Sequence, residues 1–381
     1  MDFTFQNPTK IVFGQGRIST LGTELRARGL CRPLLVAGGG SIKRNGVYDQ
    51  VAASLKSADI QWAEAFGVRA NPTLAKAEEL IAQAKAFGAD SVVAVGGGSV
   101  IDSSKSVAAG FFLDNLWDAF TGQARPKKAL PLFTVLTLSA TGSEMNGIAV
   151  LTNEATAQKW SFFSPACFPT VSIIDPAAQI SLPWAEVVNG SVDAMSHIME
   201  YYFARQTQGT TLALNDALLK TLLDTTDALQ KDPTNYELHA TRCWAATLAF
   251  NGLSSCGLGG GEWLAHGLEH SISALYPQVA HGAGLAVVFP AWCDYFKDSH
   301  PERFARFAAL FGTNDTAEGL RRLRARFAAW GAPQTLEDLG VKPADLPALA
   351  AKTMEMGRLG TLKTPSAKDL EQLLRGALRV G

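Results

Sequence analysis

Ser91-Val92-Val93-Ala94-Val95-Gly96-Gly97-Gly98-Ser99-Val100-Ile101-Asp102-Ser103-Ser104-Lys105 is the stretch that decides the fold. Its unbroken apolar run reads as a strand buried on both faces, the habit of parallel sheets. Three glycines stop the run, and a helix starts directly after them. In such a unit the backbone comes close to a phosphate, and the amides of the first helical turn point at it. A similar unit lies upstream, where Leu34-Leu35-Val36-Ala37 ends at Gly38-Gly39-Gly40-Ser41. Either turn alone would serve as a plain connection; two of them in one α/β region favour a nucleotide.

Outward from this stretch the pattern repeats. Thr4-Phe5 to Gly14 reads as extended chain broken at Asn7-Pro8, Arg17 to Arg28 as a helix, Val47 to Ser57 as a helix, and Ile60 to Ala65 as a strand. Thr73 to Phe87 carries Leu74, Ala77, Leu80, Ile81 and Ala84 on one helical face. Leu130 to Leu136 is a further buried strand, followed by the small polar loop Thr137-Leu138-Ser139-Ala140-Thr141-Gly142-Ser143-Glu144. Val171 to Ile174 is the last clear strand. After Leu182-Pro183 every periodic segment is helical. The expectation is an α/β dinucleotide-binding domain with a mostly parallel sheet over 1–182, then an all-α metal-binding and substrate domain over 183–381.

The helical half holds a second signal. The chain has 6 histidines, and four of them fall in Asp193-Ala194-Met195-Ser196-His197, His266-Gly267-Leu268-Glu269-His270 and Ala280-His281-Gly282. Residues four apart share a helix face. One carboxylate with several imidazoles suits a divalent transition metal. Asp193, His197, His266, His270 and His281 are thus all candidate ligands. His239 and His300 stand among polar residues and read as surface.

Composition excludes several classes. With 381 residues, 47% hydrophobic, 18% charged and a net charge of −1, the chain is globular and offers no basic surface for nucleic acid or anionic membrane. No apolar run approaches the ~18 residues of a membrane helix. The first residues, Met1-Asp2-Phe3-Thr4-Phe5-Gln6, carry an acid and no apolar core segment, so no export signal is expected. The 5 cysteines are scattered, as expected of reduced thiols in the cytoplasm.

These residues resemble the iron-containing (group III) alcohol dehydrogenases, and within them the NADPH-dependent butanol dehydrogenase and broad aldehyde reductase branch. The resemblance rests on Gly-Gly-Gly-Ser-x-x-Asp-x-x-Lys at Gly96–Lys105, Thr-Gly-Ser-Glu at Thr141–Glu144, and the Asp193, His197, His266, His270, His281 series. It runs from Phe5 to at least Pro290. It implies Asp193, His197, His266 and His281 as ligands of one divalent metal, Fe2+ or Zn2+, manganese being a third possibility. It implies that His270 faces nicotinamide and substrate, with Asp102 near the nicotinamide ribose; these two are the catalytic candidates. Gly97, Gly98 and Ser99 would hold the pyrophosphate, Thr137, Leu138 and Thr141 would line the cofactor, and Asn71 and Lys159 would contact it. The spacing from His266 to His281 is one residue longer than usual in the family, which places an extra residue in Tyr276–Ala280.

The implied reaction is reversible hydride transfer between NADP(H) and small primary alcohols or aldehydes, in a homodimer paired through the N-terminal extended segment. NADP(H) is expected over NAD(H) because Gly38, Gly39, Gly40 and Ser41 hold no acid to repel a 2′-phosphate, while Lys43 or Arg44 can supply charge. Two alternatives stand beside this reading. A dehydroquinate-synthase-like lyase would want lysines and arginines near the metal, where this chain has Met195, Met199, Tyr201, Phe203, Trp263 and Leu264. A nucleotide-binding sensor with a structural metal would turn over no aldehyde.

Overall fold

The computed structural model describes residues 2–378. It divides into two compact units. One comprises Gln6–Leu182 with Asp232–Thr247; the other comprises residues 2–5, Pro183–Lys231 and residues 248–378. This differs from a single cut at residue 182 in two places. The helix Tyr236–Ala249 lies largely with the sheet, for a visible reason. Its Arg242 guanidinium donates to Ser139 O and to Gln179 Oε1, both at 3.2 Å, and its Thr247 hydroxyl donates to Glu144 Oε1 at 2.6 Å. The second place is residues 2–5, which go with the helical unit.

In the first unit, six parallel strands form one sheet: β1 (Lys10–Phe13), β2 (Pro33–Ala37), β3 (Ala63–Ala65), β4 (Ser91–Gly96), β5 (Leu132–Leu136) and β8 (Val171–Ile174), in the order β1-β8-β5-β4-β2-β3. The central strands are buried on both faces, as their continuous apolar runs foretold. Successive residues point to opposite faces. Leu34, Val36, Val92 and Ala94 pack with α2 (Leu74–Phe87) and α3 (Gly98–Gly110). Leu35, Ala37, Val93 and Val95 pack with α1 (Val47–Ser57). Each fully buried valine or leucine contributes roughly 1.5–3 kcal/mol.

The remaining strands, β6 (Ile148–Asn153) and β7 (Gln158–Phe163), form a separate antiparallel hairpin that the sequence did not suggest. After β8, Pro176–Gln179 forms a single 3-10 turn.

The order of strands fixes where a ligand binds. From β2 the chain moves outward to β3, whereas from β4 it moves the other way to β5. The crevice beyond the carboxyl ends of β2 and β4 is therefore a topological switch point. Gly38–Ser41 follows β2 and Gly97–Ser99 follows β4, so both glycine turns lie there.

The second unit is helical. Three helices position its chemistry: α4 (Trp184–Tyr202), α5 (Leu264–Leu275) and α6 (His281–Phe296). None of the described helices is long and apolar enough to cross a membrane.

Candidate functional site

Asp193, His197 and Glu200 stand on α4 at positions that share one face. His266, Glu269 and His270 stand on α5, and His281 is the first residue of α6. Three imidazoles converge on one carboxylate oxygen. Asp193 Oδ1 lies 3.5 Å from His197 Nδ1, 4.0 Å from His266 Nε2 and 3.5 Å from His281 Nε2. Ligands about 2.0–2.2 Å from a tetrahedral metal stand roughly 3.4 Å from one another, and the distances of the three imidazoles to Asp193 Oδ1 are near that spacing. Asp193, His266 and His281 form one compact group of possible ligand atoms.

His197 Nδ1 and His266 Nε2 are buried without a hydrogen-bond partner, a costly state that a bound cation removes. His197 stacks on Phe250, with ring centroids 4.4 Å apart, and burial together with the neighbouring His266 and His281 pushes it well below the ordinary histidine range. It is a neutral imidazole with a lone pair to give. The donor set of carboxylate and imidazole suits iron or zinc.

Gly282 explains how His281 reaches this point. A Cβ there would lie 2.1 Å from the backbone oxygen of Asn189, one turn before Asp193 on α4. Only glycine lets the start of α6 come so close. The longer Tyr276–Ala280 connection is a loop between α5 and α6, and it leaves His281 on Asp193.

His270 is one turn beyond His266. Its ring centroid is 6.5 Å from that of His266 and 5.3 Å from that of His281, and it forms a second compact group with Glu269 and His281. The aromatic neighbours of the cluster are Phe250, Tyr201 and Trp263.

Two carboxylates around the cluster were not anticipated. Glu200 Oε1 lies 2.7 Å from His266 Nδ1, and Glu269 Oε2 contacts His281 Nδ1. Each follows a histidine by three residues in sequence, a spacing that could have drawn attention to them. His239 departs from expectation in the other direction. It is 1% exposed, with Nε2 at 2.9 Å from Pro233 O, because its helix turns that side chain inward.

In the sheet unit, Gly97 caps α3 and Gly98 begins it. A Cβ on Gly98 would lie 2.4 Å from Thr141 Cγ2, and one on Gly97 would lie 3.1 Å from Leu138 Cβ. The glycine turn and the Thr137–Thr141 loop thus meet beyond the ends of β4 and β5. Asn71, with a left-handed φ of 50°, and Lys159 are buried together, Lys159 Nζ donating to Asn71 Oδ1 at 2.9 Å. Gly39 faces open space, and Gly40 takes a left-handed φ of 96°. Ser41 opens a four-residue helical turn that holds Lys43 and Arg44.

Asp102 is engaged on both oxygens. Oδ1 accepts from Ser143 Oγ at 2.6 Å and Oδ2 from Val150 N at 3.2 Å. Lys105 completes the network, donating to Ser143 Oγ at 2.7 Å, Asn146 Oδ1 at 2.9 Å and Ile148 O at 2.7 Å. Burial raises the Asp102 carboxyl, with Lys105 opposing, and burial pulls the Lys105 ammonium down to about 8. The expected basic pair after β2 is also partly committed. Lys43 Nζ lies 3.8 Å from Glu64 Oε2 and sits over the Phe66 and Tyr48 rings, 4.3 and 4.8 Å from their centroids.

Family models match both parts of the chain. A model described as iron-containing alcohol dehydrogenase matches residues 8–176, and a model of the C-terminal part of that family matches 187–378. The chain is 39% identical to the probable NADH-dependent butanol dehydrogenase 1 of Bacillus subtilis, over 99% of this chain and 100% of the relative. It is 34% identical to the NADPH-dependent aldehyde reductase YqhD of Escherichia coli, over 93% and 94%. The crystal structure of NADH-dependent butanol dehydrogenase A from Thermotoga maritima superposes with a TM-score of 0.97 at 43% identity, covering 99% of each chain.

Proposed function

The chain belongs to the iron-containing alcohol dehydrogenase family, and we propose that it is a metal-dependent alcohol dehydrogenase and aldehyde reductase that prefers NADP(H) and acts on small primary alcohols and aldehydes. The observation that carries this reading is the convergence of His197, His266 and His281 on Asp193 Oδ1. When bound, the nicotinamide carries the hydride and the metal acts as a Lewis acid toward the substrate oxygen.

The chain's own residues do the rest. Asp193, His197, His266 and His281 would hold the metal, iron or zinc. His270, partly exposed beside His281, would hold the proton exchanged with the substrate oxygen at an imidazole nitrogen. Asp102 suits a different task from proton transfer. Its two engaged oxygens tie the start of α3 to Ser143 and to β6, which steadies the turn that faces the cofactor phosphates. Gly97, Gly98 and Ser99 would approach the pyrophosphate, with Thr137, Leu138 and Thr141 beside them and Asn71 and Lys159 on the ribose side.

The preference for NADP(H) is supported by the acid-free turn Gly38–Ser41, although relatives named for either cofactor occur. A homodimer is supported by Phe3 and Phe5, 55% and 42% exposed in the N-terminal segment. A cytoplasmic setting is supported by the free thiols of the 5 cysteines. The test is reduction of aldehydes of two to eight carbons with NADPH and with NADH, on protein of measured metal content and after chelation. No turnover with either cofactor at full metal occupancy would favour a sensor.

A further inference from the structure

The cluster of metal ligands leaves two acidic side chains to be explained. Glu200 and Glu269 are both 0% exposed. A buried carboxylate is unfavourable unless it is richly hydrogen-bonded, so the partners of each matter.

Glu200 has three donors, all from the next element of the site. Oε1 accepts from the His266 backbone N at 3.1 Å and lies 2.7 Å from His266 Nδ1, while Oε2 accepts from Trp263 N. Trp263 is the residue before α5, and it has a left-handed φ of 57° that a bulky side chain rarely adopts. It supplies no side-chain cap to its own helix. Glu200 therefore caps α5 from outside, holds a strained residue in place, and fixes the His266 ring, all with one carboxylate. Glu269, in the body of α5, makes the corresponding contact to His281 Nδ1 at the start of α6. Its Cγ packs where a Cβ on Gly284 would lie 2.7 Å away.

The two contacts have one order. The carboxylate on α4 orients the histidine on α5, and the carboxylate on α5 orients the histidine on α6. Each acid binds Nδ1, which leaves Nε2 of both rings turned to Asp193.

We propose that Glu200 and Glu269 are positioning residues that hold His266 and His281 with the proton on Nδ1, so that the ligand set is assembled before the metal arrives. This rests on the reading of Asp193, His197, His266 and His281 as the metal site. A charged acceptor on Nδ1 keeps the lone pair on Nε2 and raises its basicity. A neutral glutamine can instead turn its amide N–H toward Nδ1, which moves the ring proton to Nε2 and blocks the ligand atom.

The experiment uses metal-free full-length protein and Co2+ as the probe. Affinity is measured by competition with a chelator, and coordination by visible absorption of the bound Co2+. Glu269→Gln is the leading variant because this carboxylate caps no helix. It should bind Co2+ about 10–100-fold more weakly, with an altered Co2+ absorption band and the same Tm as the wild type when both are metal-free. Glu200→Gln should show at least the same loss of affinity and also a lower Tm, since it serves the α5 terminus as well. Wild-type Co2+ affinity and spectrum in Glu269→Gln would overturn the proposal, and this holds even if Glu200→Gln does not fold. His266→Ala and His281→Ala separate the two readings. If they lose Co2+ while the glutamate variants keep it, only the positioning role fails. If they keep it too, the ligand assignment itself is wrong.

Discussion

The two units make their sites from different material. In the sheet unit the parts proposed to face the cofactor phosphates are backbone: glycine turns at the ends of β2 and β4, and the amides that begin α3. In the helical unit the site is side chains from three helices, and its geometry depends on how those helices pack. A backbone site is specified by where a side chain is missing. A side-chain site is specified by where one is present and by what holds it. The first tolerates most changes except an added Cβ; the second fails when a single donor atom is lost.

The largest test of this contrast is His266→Ala. One of the four proposed ligands disappears, and Glu200 loses its imidazole partner. Bound metal should fall from about one ion per chain to little or none, and turnover should fall with it. Full metal occupancy in that variant would remove the basis of the comparison. His270→Ala should do the opposite to metal, leaving it bound, and should reduce aldehyde reduction by about 10²–10⁴-fold with a changed pH profile. Loss of metal there would make His270 a ligand, as its grouping with Glu269 and His281 allows.

Much of this was legible in the sequence, and the misses have physical causes. The apolar runs of β2, β4 and β5 announce buried parallel strands because both faces are covered. The Asp193–His197 and His266–His270 spacings announce a shared helix face, and the structure brings Asp193, His197, His266 and His281 together. The hairpin β6–β7 was missed because its connection, Glu154-Ala155-Thr156-Ala157, lacks the usual Asn-Gly or Asp-Gly turn signal. Ala157 takes the left-handed φ of 48° where glycine would have been the signal. Glu200 and Glu269 were missed because their spacing, three residues after His197 and His266, does not by itself distinguish a carboxylate that reaches another helix from one that faces water. His239 was misread for the same reason in reverse. Its polar sequence neighbours say nothing of the side that faces inward.

Two glycines that closely meet their neighbours, one in each unit, sharpen the comparison at intermediate size. Gly282→Ala sets a Cβ against a backbone oxygen on α4, so relief requires α6 to move away and carry His281 away from Asp193. It should lower both Tm and metal affinity. Gly98→Ala sets a Cβ against the Thr141 side chain. It should cost about 1–3 kcal/mol of stability and weaken cofactor binding, with metal content unchanged. Thr141→Ser in the same chain should restore part of the stability, because the crowded Cγ2 is then gone. Equal metal loss in both glycine variants would mean that the two units do not fail independently.

The smallest expected effect concerns the turn after β2. Gly39 has open space around it, and its φ lies outside the left-handed region, so an aspartate fits there without strain. An acid at this place would accept hydrogen bonds from a ribose 2′-OH and repel a 2′-phosphate. With glycine in its stead, the free amides of the turn and the Ser41 hydroxyl can serve the phosphate. The positive charge is better assigned to Arg44, which is exposed, than to Lys43, which is held by Glu64 and two aromatic rings. A single charge-assisted contact at the surface is worth about 1.4 kcal/mol, or ~10-fold in kcat/KM for NADPH over NADH. Gly39→Asp should abolish or reverse that preference, and Arg44→Ala should reduce it, with metal content unchanged in both. Lys43→Ala should matter less than Arg44→Ala. Equal kcat/KM for the two cofactors in the wild-type enzyme would show that the missing acid alone does not select NADP(H), and that the turn is permissive.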